Sequence, residues 1–337
     1  MTPHALWRRV AGVVRRGFAV LLVLLLTGWA VAALYFDLLP VSSSSSLRNV
    51  AAPGYGIAVT GTLLAFRGRG KGIAICVAGF VLVLAWWLTL KPSNDRTWQP
   101  DVAQTAWVEI DGDHVTIHNV RNCDYRTEGD YTPHWETRSF DLSQIRGMDI
   151  FFTYWGSPWI AHPIVSFQFG DHDYIAMSIE TRKEVGEEYS AVRGFFRYYE
   201  LIYTVSDERD VVRLRTNYRK SEETYLFHTR ATAEHARVTF LNYLKKINRI
   251  RNRPEWYNAL TNNCTTNIAA LAGEPQWDWR VLLNGRADQM LYERGDLATG
   301  NLPFAQLKEQ AHINAAARAA GDAPDFSRRI REGRAGF

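Results

Sequence analysis

Residues 159–182 read Trp159-Ile160-Ala161-His162-Pro163-Ile164-Val165-Ser166-Phe167-Gln168-Phe169-Gly170-Asp171-His172-Asp173-Tyr174-Ile175-Ala176-Met177-Ser178-Ile179-Glu180-Thr181-Arg182, the signature of a β-hairpin. Ile164–Phe169 and Tyr174–Glu180 are rich in β-branched and aromatic residues, and Gly170-Asp171-His172-Asp173 supplies the turn. The returning strand of an antiparallel pair passes the start of the first, which brings Ser178, Glu180 and Arg182 back beside His162. An imidazole at a strand start, faced by a carboxylate or a hydroxyl, is the base-and-orienter half of a nucleophilic site. Glu180 is the first choice of orienter, and Ser178 is the alternative that a different register selects.

The rest of residues 105–325 carries the same alternation. Ala106–Ile110 and His114–Asn119 flank Asp111-Gly112-Asp113 as a second hairpin. Ile150–Thr153, Tyr198–Ser206, Val211–Thr216 and Glu223–His228 are further strand candidates. Helical spacing takes over in Ala231–Ile250, which starts near Thr232 and carries Val238, Leu241, Leu244 and Ile247. A second helix runs from Asn263 through Leu271 and is ended by Gly273 and Pro275, and an Ala-rich one spans Gln306–Ala320. Residues 326–337 read as a basic tail too short to hold a core. The fold class is α+β, an antiparallel sheet with helices packed against it.

Tyr257-Asn258-Ala259-Leu260-Thr261-Asn262-Asn263-Cys264-Thr265-Thr266-Asn267 places a lone thiol in the first turn of a helix. Free N–H groups and a partial positive charge at such an end favour thiolate over thiol, and the same groups can receive the oxyanion of a tetrahedral intermediate. Cys264 is therefore the candidate nucleophile and His162 its candidate base, with Asn262 or Asn263 as candidate oxyanion donors. The plainer alternative is a buried cysteine beside a row of caps. The other histidines lack a comparable setting: His172 sits at a hairpin tip, and His312 lies in the Ala-rich segment with no adjacent strand.

The first ninety residues are of a different kind. Phe18–Leu39 and Gly72–Leu90 have the length a helix needs to cross a membrane, and Val50–Phe66 is marginal. Basic residues cluster at Arg8, Arg9, Arg15 and Arg16 and again at Arg67, Arg69 and Lys71. If both clusters are cytoplasmic, the chain crosses three times, and everything after Lys91 lies on the outer face of an inner membrane. The loop with Ser42–Ser46 is then outside. The expected division is 1–91 as a membrane segment with about three transmembrane helices, 92–104 as linker, 105–325 as the soluble domain and 326–337 as tail.

A formal charge of +4 without a basic stripe disfavours nucleic acid. Three cysteines, Cys76, Cys123 and Cys264, give no disulfide framework and no zinc spacing. Cys76 lies in an apolar run as a small hydrophobe, and a single Cys123–Cys264 bridge is conceivable. No nucleotide loop and no metal motif is present, so no cofactor is expected.

Three blocks, Asn119–Arg126, His162–Phe169 with Ser178–Arg182, and Asn262–Asn267, resemble the Lnb family of bacterial lipoprotein N-acyltransferases, named for its N-terminal periplasmic domain. The stretch Tyr199–Tyr203 through Arg209-Asp210 to Leu214–Asn217 is similar too. The resemblance implies a permuted papain-like fold related to the NlpC/P60 group, with the histidine strand ahead of the cysteine helix. It also implies acyl transfer from a membrane phospholipid to the amino group of a diacylglyceryl lipoprotein, in a multi-pass inner-membrane protein whose soluble domain is periplasmic. By position, Cys264 is then the acyl-accepting nucleophile and His162 its base. Trp155, Trp159, Phe195 and Phe196 are candidates for a lipid-facing entrance, and Arg182, Arg193 and Arg197 for phosphate contacts. A cysteine peptidase or amidase acting on cell-wall peptide would use the same thiol and imidazole. A membrane receptor or assembly factor would need neither.

Overall fold

The computed structural model describes residues 3–38, 45–67, 69–273, 278–281 and 284–337. They divide into two units, Met1–Ser93 with Glu184–Tyr199, and Asn94–Lys183 with Glu200–Phe337.

The first unit contains α1 (Pro3–Asp37), α2 (Ser45–Ala65) and α3 (Gly70–Thr89). Val23, Val59 and Cys76, one from each helix, share a buried cluster, so Cys76 is a packing residue. Among the described residues, Val10–Asp37 and Gly70–Thr89 are long and apolar enough to cross a membrane. The marginal middle stretch does form a helix, 21 residues with Pro53 inside it, but it falls short of that apolarity. Most of the expected Ser42–Ser46 loop lies outside the described residues; Ser45 and Ser46 open α2.

Residues 184–199 belong to this first unit although they interrupt the soluble sequence. Phe196 packs against Trp29 and Phe36, and Tyr198 against Phe36. The Arg197 guanidinium donates to the carbonyls of Trp87, Leu88 and Leu90, while its backbone N–H donates to Asp37. A guanidinium suits this place because the last carbonyls of a helix have no partner within it. Arg193 sits over the rings of Tyr198 and Phe36. Arg193, Arg197 and Phe196 thus have structural work inside this unit.

The second unit is built on a sheet. Its strands and those of a small side ribbon are β1 (Trp107–Asp111), β2 (His114–Arg121), β3 (Asp124–Tyr125), β4 (Tyr131–Thr132), β5 (Trp135–Asp141), β6 (Ile145–Trp155), β7 (Ala161–Phe169), β8 (Asp173–Arg182), β9 (Glu200–Ser206) and β10 (Glu222–His228). The large sheet runs β1-β2-β9-β8-β7-β6-β10, β5 pairs with β2, and β3 pairs with β4 alone. The sheet is mixed rather than antiparallel throughout, because β2 and β9 meet in parallel at Arg121 and Ser206. The hairpin of β7 and β8 pairs Ile164 with Ser178 and Phe169 with Asp173. Strand β5 went unforeseen: its Trp-Glu-Thr-Arg-Ser-Phe-Asp sequence is mostly polar and half exposed.

Three further expectations need correction. Val211–Thr216 is helix α4 (Glu208–Arg213) running into a π-helical turn, Leu214–Tyr218, not a strand. Asp207 caps it by accepting from the Arg209 N–H, and Glu208 and Asp210 supply a first acidic turn, so the helix start overrides the β-branched run that follows. The Ala-rich segment is two helices, broken at His312. After α5 (Ala233–Asn252), α6 (Cys264–Leu271) and α7 (Ala287–Arg294) come α8 (Phe304–Ala311) and α9 (Asn314–Ala320). The break puts His312 in a bridge with Tyr225 of β10, so that histidine does have a strand beside it. The C-terminal stretch is no solvated tail, for α10 (Phe326–Arg329) and the residues after it bury Phe326 and Ile330 fully. Helix α5 is capped by Thr232 and buries Phe240, Tyr243, Leu244 and Ile247, leaving Val238 half exposed. Pro275 lies outside the described residues.

Arg331 anchors the C-terminus. Its guanidinium donates to Asp149 at 2.8 Å and to Glu208 at 2.6 Å, all three nearly fully buried, and Ser166 donates to Glu208 at 2.5 Å. Removing the cation leaves buried Glu208 with only the Ser166 hydroxyl and Asp149 with only His228, 2.6 Å away. Arg331→Ala is expected to cost about 3–5 kcal/mol of stability, read as a lowered urea midpoint.

Candidate functional site

Cys264 is the first residue of α6, and the capping box before it fixes the start of the helix. The Asn263 side chain accepts from the Thr266 N–H at 2.9 Å, and Thr266 Oγ1 accepts from the Asn263 N–H at 3.0 Å. The first-turn N–H groups of such a helix have no carbonyl partner within it. The Asn263 amide donates to the Ala259 carbonyl and the Asn262 amide to the Trp256 carbonyl. Asn262 Oδ1 also accepts from Asn267, whose own Oδ1 accepts from Tyr203. These asparagines therefore build the turn that presents Cys264.

His162 enters from β7, opposite Thr153 of β6 and two residues before the Ile164–Ser178 pair. Ser178 donates its hydroxyl to Glu180 Oε1 at 2.6 Å. With that proton engaged, the 2.7 Å contact between His162 Nε2 and Ser178 Oγ has the imidazole as donor. The same nitrogen lies 3.2 Å from Glu180 Oε1. Nε2 thus faces the orienting pair, which leaves Nδ1 as the nitrogen for Cys264, a group near enough to help raise the pKa of the ring. Both orienter candidates are engaged at once, because Ser178 and Glu180 lie on one face of β8, two residues apart.

Arg215 completes the line. Its Nη2 donates to Glu180 Oε1 at 2.9 Å and its Nη1 to Glu222 Oε2 at 3.2 Å. The residue is buried, and the π-helical turn after α4 aims it inward, a kind of insertion often found at functional sites. Burial is the largest single influence on His162 and lowers its pKa, as the charge of Arg215 does, but the Glu180 carboxylate together with the interactions with Cys264 and Glu180 outweighs both. The result is about 9. Burial raises the Glu180 carboxyl, yet His162 and Arg215 together hold it well below the usual carboxylate range.

Asn284 was not foreseen. Its Oδ1 accepts from the Ala161 N–H at 2.9 Å, beside His162, and its Nδ2 donates to Thr265 Oγ1 at 2.7 Å while lying 4.0 Å from Cys264 Sγ. Gly285 explains how the chain comes so close: a Cβ there would stand 2.3 Å from the Pro158 carbonyl oxygen. The Asn-Gly dipeptide was the signal available in the sequence.

Arg182 is not part of this cluster. Its guanidinium donates to the carbonyls of Val102 and Ala103 and to the Asn94 side chain, and it stacks 4.2 Å over the Trp98 ring. All three cysteines are free thiols, so no Cys123–Cys264 bridge forms. Burial and Asp210 push the Cys123 thiol up to about 12, which leaves it inert as a nucleophile at neutral pH. Among the described residues, no group of three His, Cys, Asp or Glu is placed to hold a metal.

Residues 131–285 match the family described as the Lnb N-terminal periplasmic domain, a stretch that takes in His162, Ser178, Glu180, Arg215, Cys264 and Asn284. No curated protein and no solved structure matches the chain. The periplasmic family and the two apolar helices together fit an inner-membrane protein.

Proposed function

Because residues 131–285 match the Lnb N-terminal periplasmic domain family, we propose that the chain is a thiol acyltransferase moving an acyl chain from a membrane phospholipid to the N-terminal amine of a diacylglyceryl lipoprotein. The observation that carries this reading is the unbroken line Arg215–Glu180–Ser178–His162–Cys264, which ends on a thiol at a helix start. A permuted papain-like architecture, three membrane spans and a periplasmic soluble domain belong to the same proposal.

In this mechanism Nδ1 of His162 already holds the proton given up by the thiol, and the Cys264 sulfur attacks the ester carbonyl. The oxyanion is received by the first N–H groups of α6 and by Asn284 Nδ2. As the tetrahedral intermediate collapses, the ester C–O bond breaks, and His162 hands its proton to the lysophospholipid oxygen. The lipoprotein amine then attacks the thioester, His162 removes the amine proton, and the amide leaves as that proton returns to the Cys264 sulfur. A basicity near 9 suits an imidazole that must hold a proton between these steps. Exposed Trp159, Ile160 and Leu260, a few positions before His162 and Cys264 in sequence, supply apolar surface of the kind a lipid substrate requires.

The test is expression in cells depleted of their own lipoprotein N-acyltransferase, followed by mass spectrometry of a lipoprotein's N-terminal peptide. An amide-linked acyl chain is expected. A free amine, with the protein correctly inserted and cleaving cell-wall peptide instead, would overturn the reading in favour of a peptidase. Asn284→Asp keeps the acceptor for Ala161 and loses the donor toward the thiol. Its turnover is expected to drop about 100-fold, with little change in KM for the phospholipid.

A further inference from the structure

A cavity of about 510 Å³ lies along one flank of α6, in the size range of small-molecule sites (~300–1,000 Å³). Thr265, Ile268, Ala269 and Ala272 form its wall on the α6 side, the spacing of one helical face. The opposite wall is the sheet, with the paired residues Phe152 and Pro163 nearest His162 and the paired residues Ile150 and Val165 further along. Met290 and Leu291 of α7 close a third side. Beyond the Ile150–Val165 pair the lining carries Asp149 and Arg230, the end of α7 adds Arg294 and Asp296, and α5 adds His235 and Thr239.

Two facts tie this cavity to the thiol. Thr265, in its wall, has its Oγ1 3.8 Å from Cys264 Sγ, and Pro163, in the facing wall, adjoins His162. We propose that the cavity houses the alkyl chain of the acyl group while that group is held as a thioester on Cys264, and that the charged residues at its far end set the longest chain accepted. This rests on the function proposed above and adds a specificity determinant to it. An alkyl chain is the occupant whose chemistry fits: the near walls offer aliphatic and aromatic carbon, and a chain attached at the sulfur has to travel only past Thr265 to enter. Chains that overrun the apolar section push methylenes against Arg230, Arg294 and Asp296 and lose binding accordingly.

The experiment uses the full chain in nanodiscs containing equal amounts of dilauroyl and dipalmitoyl phosphatidylethanolamine, with no lipoprotein present. Intact-mass measurement of the trapped acyl-enzyme gives the ratio of palmitoyl to lauroyl adducts. Ala269→Phe narrows the cavity and is expected to lower this ratio at least about tenfold, because each methylene is worth roughly that much in an apolar pocket. Met290→Ala widens it and is expected to raise the ratio, which keeps the test alive should the larger side chain upset folding. Adducts that form in both variants with the wild-type ratio would overturn the role given to the cavity and leave the acyltransferase reading standing. Absence of any adduct on the wild type would overturn both.

Discussion

Cys264→Ser is expected to abolish acyl transfer, by about 10,000-fold or more, while the protein folds and inserts as the wild type does. Oxygen for sulfur is a small change in volume at a position 7% exposed, so the fold has little reason to respond. The chemistry has every reason to. A serine hydroxyl is a far weaker acid than a thiol, and the surroundings give His162 only the basicity needed to deprotonate the latter. Two measurements check this: the amide-linked acyl chain on a lipoprotein, and the mass of the enzyme after incubation with phospholipid alone. A serine variant that acylates lipoproteins at the wild-type rate would remove Cys264 from the reaction and return it to a packing role.

Glu180→Gln has the second largest expected effect, a fall of about 1,000-fold in turnover together with a changed pH dependence of stability. Glutamine keeps the shape of the side chain and removes the charge that raises His162 and pairs with Arg215. The His162 pKa should fall from about 9 toward its ordinary 6.5 or below. The sign of the stability effect follows from linkage. A histidine raised in the folded state contributes fully below about 6.5, and its contribution is lost as the pH climbs through about 9. The depressed carboxyl of Glu180 contributes fully above its ordinary 4.5, and that part is lost as the pH falls toward its folded value. The pH-dependent gap in melting temperature between wild type and variant should therefore be widest from about pH 4.5 to 6.5 and should narrow toward pH 9. On the histidine side the linkage corresponds to something on the order of 3 kcal/mol. A gap that ignores pH would mean that Glu180 acts through packing alone.

What could be read in advance was whatever is encoded locally. The β7–β8 hairpin was legible because its turn and its alternation lie within one short stretch, and the pairing of Ser178 and Glu180 with His162 follows from strand geometry. The start of α6 was legible because Asn263 and Thr266 form a cap that any helix start can use. Arg215 was hidden for the opposite reason: it reaches Glu180 from a π-helical turn after a helix whose Val211-Val212 sequence resembles a strand, and only tertiary packing decides between the two. Asn284 was hidden because it touches Thr265 from nineteen positions away. The C-terminal arginines looked like a solvated tail because a sequence cannot show that Glu208 and Asp149 are waiting, buried, for one of them.

Residues 184–199 carry a practical consequence. Because this segment sits between β8 and β9 yet packs on α1 and α3, the part of the chain that bears the chemistry cannot be released by one cut. A fragment starting at Asn94 would keep the hairpin strands but strip Phe196, Tyr198 and Arg197 of the Trp29, Phe36 and helix-end carbonyls that cover them. Such a fragment would expose aromatic surface in water and self-associate. Replacing 184–199 by a short glycine-serine bridge, rather than moving the starting residue, is the route to a water-soluble form.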